Sequence, residues 1–434
     1  MKWSKYNFMF KAKSGDFYLL YNTISNVFLK LDNSIASLLL KIRDGQLSED
    51  DLDEELRKEI LDNNILVRDD NIELAKFKLL KQYNRMNDDV LSLTIAPTMA
   101  CNLHCLYCFE QSHPSVFMKE DVEDAIIAFI KGLRDVKYIH ISWFGGEPLL
   151  YFDRIVSLTN RIKSIQTVKG YEAEIITNGV NMSADKASAL ENLNIKTVHV
   201  TIDGLESIHN ERRGGDNHVN TFKKIISGLD LLSKYDNISK TIRVNIDKTN
   251  SEQFVKVFNF IRNRYAGLNF NTYIGFIKES YGSGNSCKGC FSNSEQGMYV
   301  LNAYKKLGMP APSLLMTRYN YECIARQRNG FLIGPLGGIY KCWTDLGNPG
   351  MCLGNVKELS NISMDLLAEY MVGADPFEDA KCKDCNLLPF CGGGCPHSRI
   401  MNLFHGTKNN NCHFAKGHME ELLETYYNLW QSNQ

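Results

Sequence analysis

The sequence predicts an α/β protein built on a parallel sheet, a partial (β/α)6 TIM barrel, with a small winged-helix-like domain before it and an irregular domain organised by cysteines after it. Three observations predict this. Apolar strand runs alternate with amphipathic helical stretches from Val90 to about residue 280, a hairpin and two helical patterns precede them, and beyond about Ser292 the periodicity fades into Gly, Cys and Asn. Strict strand–helix alternation implies a parallel sheet with helices outside it. In such a barrel the chemistry lies at the C-terminal ends of the strands.

The N-terminal unit, residues 1–75, alternates in Phe17-Tyr18-Leu19-Leu20-Tyr21, turns through Asn22 to Asn26, and resumes as Val27-Phe28-Leu29-Lys30-Leu31, which reads as a β-hairpin. Asn33 or Ser34 can cap a helix carrying Ile35, Leu38, Leu39 and Ile42; Ser48-Glu49-Asp50-Asp51 opens another carrying Leu52, Leu56 and Ile60. Ile65-Leu66-Val67 closes the unit as a strand. Such a unit is either a packing extension or a peptide-binding module. Residues 76–89 are charged and helical and read as a linker.

In the barrel, residues 90–291, strands are expected at Leu91–Ile95, Tyr138–Phe144, Ala173–Ile176, Thr197–Ile202, Thr241–Ile246 and Asn271–Ile277. Helices are expected at Lys119–Leu133, Phe152–Ile165, Asp185–Leu193, Thr221–Ser233 and Ser251–Tyr265. Residues 292–434 begin with a helical stretch and then carry too few periodic apolar residues for a core of their own. Small domains of that kind need metal or cross-links to hold them.

Composition narrows the function. At 434 residues there is room for two or three domains, and 44% hydrophobic with 23% charged residues is ordinary for globular chains. A net charge of −1 gives no basic surface with which to displace counterions, so nucleic acid is not an expected partner. No apolar run approaches the roughly 20 residues that cross a bilayer, and no signal-peptide core follows Met1-Lys2-Trp3-Ser4-Lys5, so a cytoplasmic location without membrane contact is expected. Thirteen cysteines in that compartment point to metal ligation rather than disulfides.

Directly after the first barrel strand comes Cys101-Asn-Leu-His-Cys105-Leu-Tyr-Cys108. Three thiolates can hold three irons of a [4Fe-4S] cluster and leave the fourth open, whereas a cluster used only for redox normally takes four cysteines. From spacing alone, a zinc site with a distant fourth ligand is the alternative. Gly145-Gly146-Glu147-Pro148 ends the second strand; its glycines let the backbone approach a ligand closely, and Glu147 adds an anion for an ammonium group.

Together these motifs resemble the radical S-adenosylmethionine superfamily, whose signature loop carries an aromatic before the last cysteine, here Tyr107. The resemblance covers about residues 90 to 280 and implies that the cluster reduces the sulfonium, releasing a 5′-deoxyadenosyl radical that abstracts hydrogen from an unactivated carbon. In such enzymes the cofactor carries the hard chemistry and the protein supplies position and excludes water. The resemblance further implies that Glu147 holds the methionine amine and that Thr177-Asn178-Gly179 lines the cofactor at the third strand. Thr201-Ile202-Asp203-Gly204 looks like the family's Ser-Leu-Asp-Gly, which puts Thr201 at the ribose, and His209-Asn210-x-x-Arg213 looks like its His-Asp-x-x-Arg, which pairs Arg213 with the methionine carboxylate. A solvated loop arginine is the alternative for Arg213.

The C-terminal cysteines run Cys323-x13-Gly337-x4-Cys342, then Cys382-x2-Cys385-x5-Cys391-x3-Cys395, then Cys412, in the order and spacing of the seven-cysteine auxiliary-cluster domain known as SPASM. Two tetrathiolate zinc sites are the alternative. The resemblance implies one auxiliary [4Fe-4S] cluster on Cys382, Cys385, Cys391 and Cys412 and another on Cys323, Cys342 and Cys395, three clusters in all with the first. The second set lacks a ligand, which Cys352 or the Cys287/Cys290 pair could supply; Cys352 could equally be a packed thiol.

The N-terminal unit and the SPASM pattern together resemble maturases of ribosomally made peptides, so the unit is expected to bind the leader of a Cys-containing precursor, like a RiPP recognition element (RRE-like). The expected reaction joins sulfur to carbon as a thioether, with a flavodoxin- or ferredoxin-type electron donor. Formylglycine formation of the anaerobic sulfatase maturase kind and carbon–carbon cross-linking are rivals. The first is disfavoured by the N-terminal module and by Trp343-Thr344-Asp345 after Cys342, where those enzymes place an aspartate directly; Asp345 could still act as a base, or be a turn aspartate. An iron-sulfur electron carrier or redox sensor is the rival of another class, and it has no need of the Gly-Gly-Glu ledge.

Overall fold

The structure is a computed structural model and describes residues 1–108, 110, 114–214, 219–278, 289–309 and 322–432. It divides into two compact units, one of Met1–Met86, Ser292–Cys323 and Val372–Gln434, the other of Asn87–Phe291 and Ile324–Met371.

In the first unit, β1 (Lys2–Trp3) pairs antiparallel with β5 (Leu66–Val67), while β2 (Asn7–Lys11), β3 (Tyr18–Asn22) and β4 (Phe28–Leu31) form an antiparallel sheet in the order β2-β3-β4. The expected hairpin is β3–β4, with Asn26 at φ 60° in the turn, a conformation asparagine tolerates. The outer strand β2 was not foreseen. Because side chains alternate along a strand, Leu20 and Leu31 face a core with Ala36, Leu39, Leu52 and Ile60 from the two helices, while Leu19 turns to the other face with Ala12 and Tyr427. Tyr427 comes from the helix Met419–Gln431, so both faces of this sheet are covered.

The stretch expected as a linker is instead most of a packed helix, Asp70–Arg85, capped by the Asp69 side chain. Its Leu74 and Phe77 pack with Phe377 and Leu388. Its buried Lys81 and Arg85 meet Glu322 at 3.1 and 3.2 Å, and Arg85 reaches Asp375 at 2.5 Å. Two cations against two carboxylates leave no net buried charge, as burial of ions requires.

The second unit holds a nine-stranded sheet. The six barrel strands are β6 (Val90–Ile95), β7 (Tyr138–Trp143), β8 (Gly170–Thr177), β9 (Ile195–Thr201), β10 (Ser239–Ile246) and β11 (Phe270–Phe276), each parallel to the next. The expected helices lie between them, with a further short one, Glu206–Arg212. The sheet stays open and continues past β6 through β12 (Gly330–Ile333), β13 (Gly338–Tyr340) and β14 (Gly354–Asn355). Strands β12 to β14 are an addition within a segment expected to be irregular: β12 pairs parallel with β6, and β13 returns antiparallel to it through a turn with Gly337 at φ 86°.

Ile139, Ile141 and Trp143 of β7 and Ile242, Val244 and Ile246 of β10 are buried on the helix-covered side. The alternate residues, His140 and Ser142 of β7, Glu172 and Glu174 of β8, and Arg243 and Asn245 of β10, occupy the opposite, inner face. Among the described residues no helix is long and apolar enough to cross a membrane.

Candidate active site

The cysteine loop follows β6 and is pinned from two sides. On one side the amides of Gly146 and Glu147 donate to the carbonyls of Thr98 and Ala100 at 3.2 and 2.9 Å. On the other, the amides of His104 and Leu106 donate to the carbonyls of Gly214 and Arg212 at 2.8 and 3.3 Å. The amide of Cys108 closes a turn on the carbonyl of Cys105. Cys101, Cys105 and Cys108 are half-buried and close enough to raise one another's proton affinity. Burial is the larger cause, and it pushes Cys101 up to about 11 and Cys108 to about 12.

The glycine pair lies against the cysteine loop. Gly145 sits at φ 107°, and a Cβ there would stand 2.4 Å from the carbonyl oxygen of Thr98; one on Gly146 would stand 2.3 Å from that of Met99 and 2.4 Å from that of Ala100. Only glycines let the second strand's end lie against the cysteine loop. Glu147 is 1% exposed. Its carboxylate accepts from the Thr177 hydroxyl at 2.6 Å and from the amides of Asn178 at 2.7 Å and Leu149 at 3.0 Å, the last opening a 3-10 turn at Pro148. Burial pushes the Glu147 carboxyl up, and these donors counteract it. The side chain thus ties the ends of β7 and β8 together. Asn178 extends the tie: its side-chain amide donates to Asn102 at 2.8 Å and lies 3.9 Å from the Cys101 sulfur.

Arg213 is buried, not solvated. Its Nη1 donates to the Tyr107 hydroxyl at 2.7 Å, and Asn245 donates to that hydroxyl at 3.0 Å. Burial opposes its charge, but Tyr107, Cys105 and Asp203 around it more than offset that and keep it cationic. Arg212 donates to Asp247 and to the Thr249 hydroxyl, both at 2.8 Å, and lies over the Tyr107 ring. Asp203 is fully buried, 3.6 Å from Arg212, with neither oxygen hydrogen-bonded. His209 accepts from the Asp203 amide and is kept neutral by burial, at about 3. Asn210 accepts from the amide of Phe222 and the hydroxyl of Thr221, so the His-Asn pair fastens the short helix. Thr201, at the end of β9, stands opposite Arg243 on the inner face.

Arg212, Asn245 and Asp247 were missed in the sequence. The rule that function gathers at the C-terminal ends of strands singles out Asn245-Ile-Asp247 at the end of β10, whereas Arg212 falls outside the His-Asn-x-x-Arg spacing that picked out Arg213.

These residues fit an iron-sulfur cluster with S-adenosylmethionine. The Arg213 Nε is buried without an acceptor, which an anionic cluster or a carboxylate would supply. Thiols raised by burial bind metal by releasing their protons to it. Among the described residues no three His, Cys, Asp or Glu side chains are close enough to chelate a single ion.

In the first unit, Cys382, Cys385 and Cys412 all act on the Lys416 ammonium, and Cys391 acts on Cys382, so four sulfurs share one neighbourhood. Lys416 stands 3.6 Å from Cys412, and Arg399 donates to the Cys382 sulfur at 3.4 Å. Cys323 and Cys395 belong to that unit, while Cys342 and Cys352 belong to the barrel unit. The Cys352 thiol donates to the Gly354 carbonyl at 3.2 Å and packs with Ala96, Phe144 and Tyr340. Asp345 is 1% exposed and accepts from the Tyr370 hydroxyl. Cys290 is disulfide-bonded, and Cys287 lies outside the described residues.

An open parallel barrel with three cysteines on the loop after its first strand defines a class of cofactor-dependent enzyme. Residues 95–261 match the family model of the Radical SAM superfamily. The cysteine-type anaerobic sulfatase-maturating enzyme of Clostridium novyi (strain NT) is 24% identical over 353 residues, 74% of this chain and 91% of its own. The GTP 3′,8-cyclase of Limosilactobacillus fermentum is 27% identical over 199 residues, 44% of this chain and 56% of its own. Among solved structures, native anSMEcpe with bound AdoMet gives a TM-score of 0.60 at 19% identity over 79% of this chain and 98% of that one. Streptococcus suis SuiB bound to precursor peptide SuiA gives 0.53 at 18% identity, over 91% and 95%. At these identities the structural likeness is one of fold. The chain carries a radical SAM domain, which makes it an enzyme; proteins with that domain bind S-adenosylmethionine and a [4Fe-4S] cluster, and those similar to this chain include a sulfatase-maturating enzyme and SuiB, solved with a precursor peptide.

Proposed function

We propose that the chain is a peptide maturase that acts on a ribosomally made, Cys-containing precursor and joins sulfur to carbon as a thioether. The observation that carries this reading is the cysteine loop held between the Gly145-Gly146 ledge and the Arg212–Gly214 segment, at the strand ends where a barrel does its chemistry. When bound, the cluster and S-adenosylmethionine supply an oxidant able to take hydrogen from an unactivated carbon. Cys101, Cys105 and Cys108 hold the iron. The backbone ledge at Gly145 and Gly146, set by Glu147 and Pro148, meets the methionine amine; Arg213 meets an anionic oxygen with its unused Nε; Thr177, Asn178 and Thr201 border the nucleoside; and Tyr107 orients Arg213. A second cluster on Cys382, Cys385, Cys391 and Cys412 and a flavodoxin- or ferredoxin-type donor complete the electron path.

Residues 1–75 bind the precursor leader, at the edge of β4. Formylglycine formation is the second reading, favoured by the similarity to the Clostridium novyi enzyme over most of its length; in it Asp345 serves as base.

Anaerobic reconstitution with S-adenosylmethionine and dithionite tests the class. The wild type should release 5′-deoxyadenosine, whereas the triple Cys101, Cys105 and Cys108 to Ala variant should lose roughly four irons per chain and all of that release. Retained cleavage in the variant defeats the assignment. With a candidate Cys-containing precursor peptide, a product lacking only two hydrogens supports the thioether, and loss of two hydrogens together with exchange of sulfur for oxygen supports formylglycine.

A further inference from the structure

Among the described residues on the inner face of β7 to β10, the carboxylates are paired and one arginine is not. Glu174 accepts from the Ser142 hydroxyl at 2.6 Å and meets His199 at 3.0 Å, and Glu172 meets His140 at 3.4 Å. Arg243, exposed on β10, faces no carboxylate among the described residues. Yet it is not a loose surface arginine. Its Nε donates to the Asn245 side-chain oxygen at 2.8 Å, and Asn245, 8% exposed, donates in turn to the Tyr107 hydroxyl of the cysteine loop at 3.0 Å. The guanidinium lies across Gly275 of β11, where a Cβ would stand 2.3 Å from the Arg243 Nε and 2.7 Å from the Asn245 oxygen. The seat exists because that position has no side chain.

With Nε committed, the two Nη groups remain as a planar fork, and their natural partner is a carboxylate bound through both oxygens. The register puts Arg243 directly beside Thr201, the residue given to the nucleoside in the functional reading above. We propose that Arg243, seated by Asn245 and Gly275, receives a carboxylate at the cofactor's side of the barrel. The inference rests on that reading of the inner face. Two sources share this chemistry: an acidic residue or C-terminus of the peptide, and the methionine carboxylate of S-adenosylmethionine.

Reconstituted wild type, Arg243→Ala, Arg243→Lys and Gly275→Ala would be compared for iron content and then for two pairs of ligands. The first pair is S-adenosylmethionine and its decarboxylated analogue; the second, with cofactor loaded, is a Gly-Glu repeat peptide and its Gly-Gln counterpart. In one pair the wild type should prefer the carboxylate about tenfold or more, the range for a charge-assisted contact. Arg243→Ala and Gly275→Ala should lose that preference at unchanged iron content, and Arg243→Lys should keep part of it. Loss in the first pair assigns the cofactor's carboxylate; loss in the second assigns the peptide's. Wild-type affinities in Arg243→Ala for both pairs, or an intact preference in Gly275→Ala, overturn the proposal. Release of 5′-deoxyadenosine by the wild type is read in the same preparation. A chain that cleaves the cofactor but shows no carboxylate preference defeats this inference alone, and one that does not cleave it defeats the functional reading.

Discussion

Glu147 accepts three buried hydrogen bonds, from the Thr177 hydroxyl and the amides of Asn178 and Leu149, so its removal strands buried donors at or just past the ends of β7 and β8. Each buried donor left unsatisfied costs about 1–3 kcal/mol. Glu147→Ala should therefore lose at least about 3 kcal/mol of stability in urea titrations, with Glu147→Gln between it and the wild type. A Glu147→Ala variant as stable as wild type would show that the strand ends are held by something else. The His140–Glu174 contact adds a pH dependence. The hydrogen bond to Glu174 raises His140 above its ordinary 6.5, although burial opposes it. Burial pushes Glu174 up, but His140, His199 and Ser142 outweigh it and hold the carboxyl far below its ordinary 4.5. Stability from the histidine is complete below 6.5 and is lost as pH rises through its raised value; stability from the carboxylate is complete above 4.5 and is lost as pH falls. The melting-temperature gap between wild type and His140→Gln should be widest between those values and shrink above neutrality. A gap that widens with pH contradicts the pairing.

At the scale of elements, β4 is a free edge of its sheet among the described residues. The Asn22 amide donates to the Val27 carbonyl, which makes Leu20–Leu29 bonded partners too and turns the amides of Phe28 and Lys30 outward. A leader strand added there would use those amides. Lys30→Pro should weaken precursor binding roughly tenfold, about one charge-free hydrogen bond plus local strain, while 5′-deoxyadenosine release persists. Lys30→Ala loses the ammonium over Phe17 but keeps its amide, and it should bind nearly as wild type. Equal loss in both would move the leader site elsewhere. Elements with one strong period were legible in sequence: all six barrel strands and their main helices stand within a few residues of expectation. Residues 76–89 were legible as helical but read as a linker, because Lys81 and Arg85 look solvated until Glu322 and Asp375 are brought against them, and no local pattern reports a partner so distant in sequence. Strand β12 was hidden for another reason. Phe331-Leu332-Ile333 with a glycine turn after it is a hairpin signal, outweighed by the cysteines and glycines around it. The site was legible where type and spacing carry chemistry, as in the cysteine loop, but not where a residue acts by facing another strand, as do Asn245 and Arg243.

At the scale of the molecule, residues from both ends of the chain build one unit. Thr23 donates to the Asn386 carbonyl at 2.6 Å, Lys78 meets Glu378 at 2.5 Å, and Phe28 stands edge-on to Tyr426. The segment carrying Cys382, Cys385 and Cys391 has only short helices, so ligation there should stabilise the whole unit through these contacts. Replacing the three cysteines by Ala should remove roughly four irons and speed hydrogen exchange at β3 as well as in the C-terminal segment. Unchanged protection at β3 would show that the N-terminal sheet is stable on its own.

This arrangement also sets an order of events during synthesis. The sheet formed by residues 7–31 emerges early, yet the helix Met419–Gln431 that covers Leu19, Phe10 and Phe17 is made only after the entire barrel. At about 5–20 residues per second that apolar face waits on the ribosome for some tens of seconds. During that interval the face lacks the helix that covers it and stands open to other nascent strands.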